Sequence, residues 1–197
     1  MKNILLIQTG GTIAMQEQKF QDPAAALDFE VWTHVLKHEI PQLHKIANIE
    51  IENLFFVDSS DINSSHWLKL AHYIQQNADR YDGFVILHGT DTMAYTASAL
   101  SFALRPLDKP VVLTGSQVPL SNLRSDARRN LINAVEIATH PIKEVIICFN
   151  DKVLRGNRST KMSIGDFDAF ASPNFSPLAD IGLTIDYHHS TDGFKKN

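Results

Sequence analysis

The stretch Phe84-Val85-Ile86-Leu87-His88-Gly89-Thr90-Asp91-Thr92 constrains the fold of this chain more than any other. An apolar run of strand length stops abruptly at a histidine and a glycine. Two hydroxyls flanking a carboxylate follow, and a helical pattern then runs from Met93 to Ala103. A buried strand that feeds a helix through a polar turn is the repeating unit of a parallel α/β sheet. In such sheets small ligands bind just past the carboxyl ends of the strands. A helix N-terminus adds unpaired N–H groups and partial positive charge at that edge. Thr90, Asp91 and Thr92 are therefore placed to handle a small polar substrate.

The N-terminus repeats the pattern. Ile4–Ile7 reads as a strand, and Thr9-Gly10-Gly11-Thr12 as a tight turn whose glycines permit positive φ and close backbone approach. Thr12 then lies opposite Thr90 across one crevice. Further strand-like runs are Ile49–Val57, Phe84–Leu87, Val111–Leu113 and Val145–Phe149. Helical patterns fill the gaps: Asp28–Ile40, Ser65–Asp79, Asp91–Leu104 and Arg124–Thr139, with a hydroxyl cap at Ser64-Ser65. This alternation predicts an α/β fold of three layers, a mostly parallel twisted sheet with helices on both faces. After Asn150, Lys152–Asn157 reads as an extended segment, Ser159–Asp168 as polar turns, and Ala169–Pro177 as an ordered loop. Residues 1–190 are expected to form one domain, and 191–197 a polar tail that starts a linker.

Composition narrows the function. With 18 Lys and Arg against 22 Asp and Glu, the net charge of −4 argues against nucleic-acid binding driven by phosphate neutralisation. No apolar run is long enough to span a bilayer. The opening Met1–Ile7 is too short, and too soon interrupted, for a signal peptide. The single cysteine, Cys148, lies inside an apolar strand and forms no intrachain disulfide, which fits a reducing, cytoplasmic setting. There is no phosphate-binding glycine motif, no Gly-x-Ser-x-Gly elbow and no spaced set of metal ligands. No metal or cofactor is expected, and His188-His189 reads as surface.

A threonine after a strand commonly caps a helix or closes a turn. Two such threonines, each beside glycine at a strand end, shift the balance toward chemistry. A hydroxyl attacks an amide carbonyl when a base removes its proton, and backbone N–H groups at the turns can hold the oxyanion. Asp91 can cap its own helix, pair with a substrate ammonium or orient a base. Lys161, within Arg155-Gly156-Asn157-Arg158-Ser159-Thr160-Lys161, reads as a solvated lysine on composition alone. Asp58-Ser59-Ser60-Asp61 closes another strand and could bind both ends of an amino acid or simply form a turn. Thr114-Gly115-Ser116-Gln117 ends a fourth.

These motifs together resemble the bacterial asparaginase family, in particular its cytoplasmic type I enzymes. The resemblance rests on Thr9–Ala14, Asp58–Asp61, His88–Ala97, Thr114–Gln117, Arg124–Asp126, Arg155–Lys161 and Asp168–Asn174, in order along nearly the whole chain. It implies hydrolysis of L-asparagine to L-aspartate and ammonia without cofactor. Thr12 would be the nucleophile that forms a β-aspartyl ester. Thr90, Lys161 and Asp91 would shuttle protons, and Asp91 would also hold the substrate ammonium. Asp58, Ser59 and Ser60, with Gly11, Gly89 and Thr90, would bind the substrate. L-Glutamine is a second substrate the resemblance allows, and the full-length form is expected to be a homodimer or homotetramer. The family's mobile-loop tyrosine has no counterpart in Met15–Ala26, where Phe20 is nearest and cannot hydrogen-bond. The family's smaller C-terminal domain has no counterpart either, so the isolated domain is expected to be weakly active. Two other readings stay open: a non-catalytic amino-acid-binding domain, and the asparaginase-like component of a tRNA-dependent amidotransferase.

Overall fold

In the computed structural model, which describes residues 1–15, 29–106 and 108–188, the apolar runs form the parallel centre of an eight-stranded sheet. Parallel strands come from β1 (Asn3–Gln8), β2 (Asn48–Asn53), β3 (Gly83–Leu87), β4 (Val111–Thr114) and β5 (Val145–Phe149). In space they run 2-1-3-4-5, so the strand order reverses between β1 and β3. That switch point opens a crevice at the carboxyl edge of the sheet, because the loops leaving β1 and β3 diverge to opposite faces.

Every side chain of β3, β4 and β5 is buried, as a strand covered on both faces requires. Ile4, Leu6, Val85, Val112 and Ile146 pack with α1 (Phe29–Glu39), α2 (Leu43–Ile46) and α5 (Ala127–Ala138). The alternate set, Leu5, Ile7, Phe84, Ile86 and Ile147, packs with α3 (Ser64–Gln76) and α4 (Met93–Ala103). These two clusters are the two sides of the expected three-layer sandwich. Cys148 is buried in the first, and burial pushes its thiol up, so it stays a protonated packing group.

After β5 the direction changes. Asn150, at φ 54°, takes the left-handed conformation of a tight turn, and β6 (Lys152–Arg155) returns antiparallel to β5. Asn130 and Asn133 of α5 hold this turn through the Asn150 N–H and carbonyl, at 3.0 and 3.1 Å. The chain then forms a separate two-stranded hairpin from β7 (Thr160–Lys161) and β8 (Phe170–Ala171). It closes with β9 (Ala179–Ile181) and β10 (Ile185–Tyr187), both antiparallel. The outermost strands of the sheet carry carboxylates: Glu50 and Glu52 on β2, Asp186 on β10.

Element boundaries differ from the sequence reading where side chains redirect the backbone. The second strand leaves the ladder at Asn53 rather than Val57, although Leu54 and Val57 still donate to the carbonyls of Gln8 and Thr9. The cap of α3 is Asn63, not a serine: its side chain accepts from Ser65 N at 3.0 Å, and His66 completes a capping box. The fifth helix starts at Ala127, not Arg124. Asp126 at its start does not cap it. The buried Asp126 carboxylate turns back to accept from the N–H groups of Gln117 and Val118 and from Asn130 Nδ2, at 3.0 to 3.1 Å. Strand β8 falls in the segment read as an ordered loop, and β9 and β10 lie where the sequence predicts no element, because two- and three-residue strands leave no periodicity to detect.

Asp126→Ala removes the acceptor for two partly buried backbone donors and for Asn130. It should cost about 2–4 kcal/mol, read as a lower urea midpoint with an unchanged m-value. A loss below about 1 kcal/mol would mean that other acceptors replace the carboxylate.

Candidate active site

The crevice is built from backbone that touches backbone. Strand β1 ends at Gln8, and Thr9 ties it to β3 through its N–H and its hydroxyl, both donating to the Leu87 carbonyl at 3.1 and 2.7 Å. Gly11 then sits at φ 91°, where a side chain would be strained. A methyl added there would lie 2.6 Å from Gly89 N. One added at Gly89 would lie 2.7 Å from Ser59 Cβ. Three turns, from β1, from β3 and from Asp58–Asp61, are thereby in direct contact. Thr12 and Thr90 each follow one of the touching glycines. Thr12 starts a single 3₁₀ turn, Thr12–Ala14, and is half-buried.

The Asp58–Asp61 turn is internally braced. Asp58 accepts from Ser60 N at 2.8 Å and from Ser60 Oγ at 2.6 Å, and these bonds hold its carboxyl below the usual range. Ser59 is buried, and its carbonyl accepts from Thr92 Oγ1 at 2.6 Å. The Thr92 hydroxyl therefore staples this turn to the start of α4 instead of capping the helix, which has no side-chain cap. Neither Thr90 nor Asp91 caps it either.

Thr90 and Asp91 meet Lys161. Lys161 Nζ donates to Thr90 Oγ1 at 2.8 Å and to Asp91 Oδ1 at 2.7 Å. The lysine side chain is only 12% exposed, against 65% for Asp91. It arrives on the β7–β8 hairpin, which is anchored by Phe170 against Phe149 at a ring separation of 5.0 Å. This route explains why pattern alone points so weakly to Lys161: it belongs to no strand end of the parallel sheet. Its neighbour Arg155 is committed to the fold, paired with Glu144 at 2.5 and 2.7 Å and stacked 4.4 Å over Phe175. His188 pairs with Asp180 at the surface, at 2.7 Å.

A buried chain of hydrogen bonds supports the Gly89 turn, and no sequence pattern announces it. Trp67 Nε1 donates to Thr96 Oγ1 at 2.9 Å. The Thr96 hydroxyl donates to His88 Nε2 at 2.8 Å, and His88 Nδ1 donates to the Gly89 carbonyl at 2.7 Å. Indole only donates and a carbonyl only accepts, so the neutral tautomer protonated on Nδ1 satisfies every member. Burial lowers the His88 pKa to about 4, partly opposed by the Gly89 carbonyl.

Residues 3–192 match the family model described as asparaginase, N-terminal. The chain belongs to the asparaginase family. It is 48% identical to L-asparaginase 1 of Escherichia coli, over 93% of this chain and 54% of that protein. It superimposes on the crystal structure of L-asparaginase I from Vibrio cholerae with a TM-score of 0.86 at 45% identity, covering 94% of this chain and 56% of that one. More distant is a glutamyl-tRNA(Gln) amidotransferase component of Pyrococcus horikoshii, 36% identical over 92% of this chain and 42% of that protein. The chain thus spans little more than half the length of these two asparaginases. Of the family motifs, those around Thr12, Ser59, Thr90 and Lys161 lie within the described residues. Phe20, the loop position nearest the family tyrosine, His189 and the tail 191–197 lie outside them.

Because His88 is neutral when folded and titrates near 6.5 when unfolded, the unfolded chain takes up the proton first as pH falls. Stability linked to His88 is present above about pH 6.5 and declines until about pH 4, by about 3 kcal/mol in all. Urea unfolding of wild type and His88→Gln across this range should show the gap between them shrinking as pH falls. A constant gap would contradict a neutral, buried His88.

Proposed function

We propose that this site hydrolyses L-asparagine to L-aspartate and ammonia through an acyl-threonine. The observation that carries the reading is the hydroxyl–lysine–carboxylate set of Thr90, Lys161 and Asp91, held at 2.8 and 2.7 Å beside the turn that presents Thr12. The names of the asparaginases it resembles support the substrate.

In this mechanism Thr12 Oγ1 attacks the side-chain amide carbon, and the oxyanion goes to backbone N–H donors of the Gly11-Thr12 and Gly89-Thr90 turns. The hydroxyl proton leaves by way of the Thr90–Lys161 pair, and a proton is delivered to the departing ammonia. Water then attacks the ester, gives up its proton to the same pair and regenerates Thr12. Asp58, kept ionised and oriented by the Ser60 hydroxyl, and Asp91 face the substrate ammonium, while the Ser59 hydroxyl meets its α-carboxylate. L-Glutamine, one methylene longer, is the related substrate to test.

The wider setting belongs to the same proposal. The full-length protein is a homodimer or homotetramer, and it works in the reducing cytoplasm. Its single cysteine is buried, and no helix among the described residues is long and apolar enough to cross a membrane.

The test is ammonia release from L-asparagine and L-glutamine by wild type, Thr12→Ala, Thr90→Ala and Lys161→Met. Loss of a nucleophile or proton-transfer group should lower turnover by on the order of 10²–10⁴, with the fold retained by circular dichroism. Near-normal turnover by either threonine variant would sink the mechanism. Binding of L-aspartate without turnover by wild type would favour an amino-acid-binding domain instead.

A further inference from the structure

Gln117 is tied down at both ends of its side chain. Its Nε2 donates to the carbonyl oxygens of Ile164 and Asp166, each at 3.1 Å, and its Oε1 accepts from Thr90 Oγ1 at 3.1 Å. Two carbonyls can be met only by the NH₂ end, so the amide has a single orientation. Oε1 only accepts, so the Thr90 hydroxyl must donate to it. That same hydroxyl accepts from Lys161 Nζ at 2.8 Å. Its one proton therefore faces Gln117, and one lone pair faces the lysine. The other lone pair is left for the crevice.

The support beneath Gln117 is rigid. Its N–H donates to both oxygens of buried Asp126, at 3.1 and 3.0 Å. Asn130 Nδ2 ties that carboxylate to the Gly115 carbonyl, with both bonds at 3.0 Å. A methyl on Gly115 would lie 2.3 Å from the His88 carbonyl oxygen, so this turn is pressed against the strand end that carries Thr90. Ile164 and Asp166 belong to the hairpin that delivers Lys161. Gln117 is thus bonded to both sides of the Thr90–Lys161 pair.

We propose that Gln117 is a positioning residue for hydrolysis. It fixes the Thr90 oxygen beside Lys161 with a lone pair turned to the reacting group, and its neutral amide oxygen releases the Thr90 proton to the lysine when the pair acts as base. This rests on the reading of Thr90 as a proton-shuttling group. Gln117 touches no substrate in this scheme, so it governs the rate of the chemical steps and not binding.

The experiment compares Gln117→Met and Gln117→Glu with wild type in steady-state ammonia release and in L-aspartate binding by calorimetry. Gln117→Met should lower kcat about tenfold or more while the L-aspartate Kd stays within about threefold, the signature of an interaction used only in the transition state. Gln117→Glu adds a readout that packing alone would not move. Its protonated carboxyl offers an O–H to a hairpin carbonyl and a C=O to Thr90, whereas its ionised form repels both carbonyls. Its kcat relative to wild type should therefore rise as pH falls, while the Gln117→Met ratio stays flat. Retention of kcat within about twofold by Gln117→Met would overturn the proposal, as would equal losses of kcat and binding.

Should wild type itself release no ammonia, the hydrolytic reading fails, and the hydrogen bond is judged separately by NMR. The Gln117 side-chain amide signals, assigned by their loss in Gln117→Met, should shift in Thr90→Val. Unmoved signals would overturn the proposal.

Discussion

The site depends on places where two backbones touch with no side chain between them. Gly11 lies against Gly89, Gly89 against Ser59, and Gly115 against the carbonyl of His88. Each contact removes the width of a side chain from the separation of two turns, so hydroxyls on different strands can address one small molecule. Positive φ at Gly11 aims the chain so that Thr12 follows immediately. A bulkier residue at any of these contacts would widen the crevice before it altered a single functional group.

Around this tight frame the polar groups divide into two kinds. Some are fully committed to neighbours: His88 to Gly89 and Thr96, Thr92 to Ser59, Asp126 to three donors, Arg155 to Glu144. They fix backbone positions, and their hydrogen bonds offset the cost of burying them. Others keep unused capacity. Lys161 has a third N–H, Asp91 is largely exposed, and the Thr90 oxygen retains a lone pair. The proposed reaction falls to the second kind, because a group whose every bond is already made has nothing left for a substrate.

How much of this was legible follows from where each residue sits. The central strands are continuous apolar runs that end in small polar residues, so the sheet, its layers and the Thr12, Asp58 and Thr90 turns could be read from pattern. Lys161 could not, because the two-residue strands of its hairpin have no period and its burial comes from Phe170 packing on Phe149. The motif around it became informative only through family resemblance. Gln117 lies in a recognisable strand end, but its partners are separated from it by 27 to 49 residues, a range over which no local rule operates. Asn63 displaced the serines as helix cap because its side-chain oxygen reaches the N–H of Ser65.

The carboxylates on the outermost strands have a consequence for how copies of this chain behave in solution. A strand at the rim of a sheet offers unpaired N–H and C=O groups to any other strand. Glu52 on one rim, beside the Arg80-paired Glu50, and Asp186 on the other place like charges where a second sheet would have to dock. At neutral pH this repulsion, reinforced by a net charge of −4, discourages sheet-to-sheet stacking. High salt screens these groups, so their protection against association is greatest in dilute buffer.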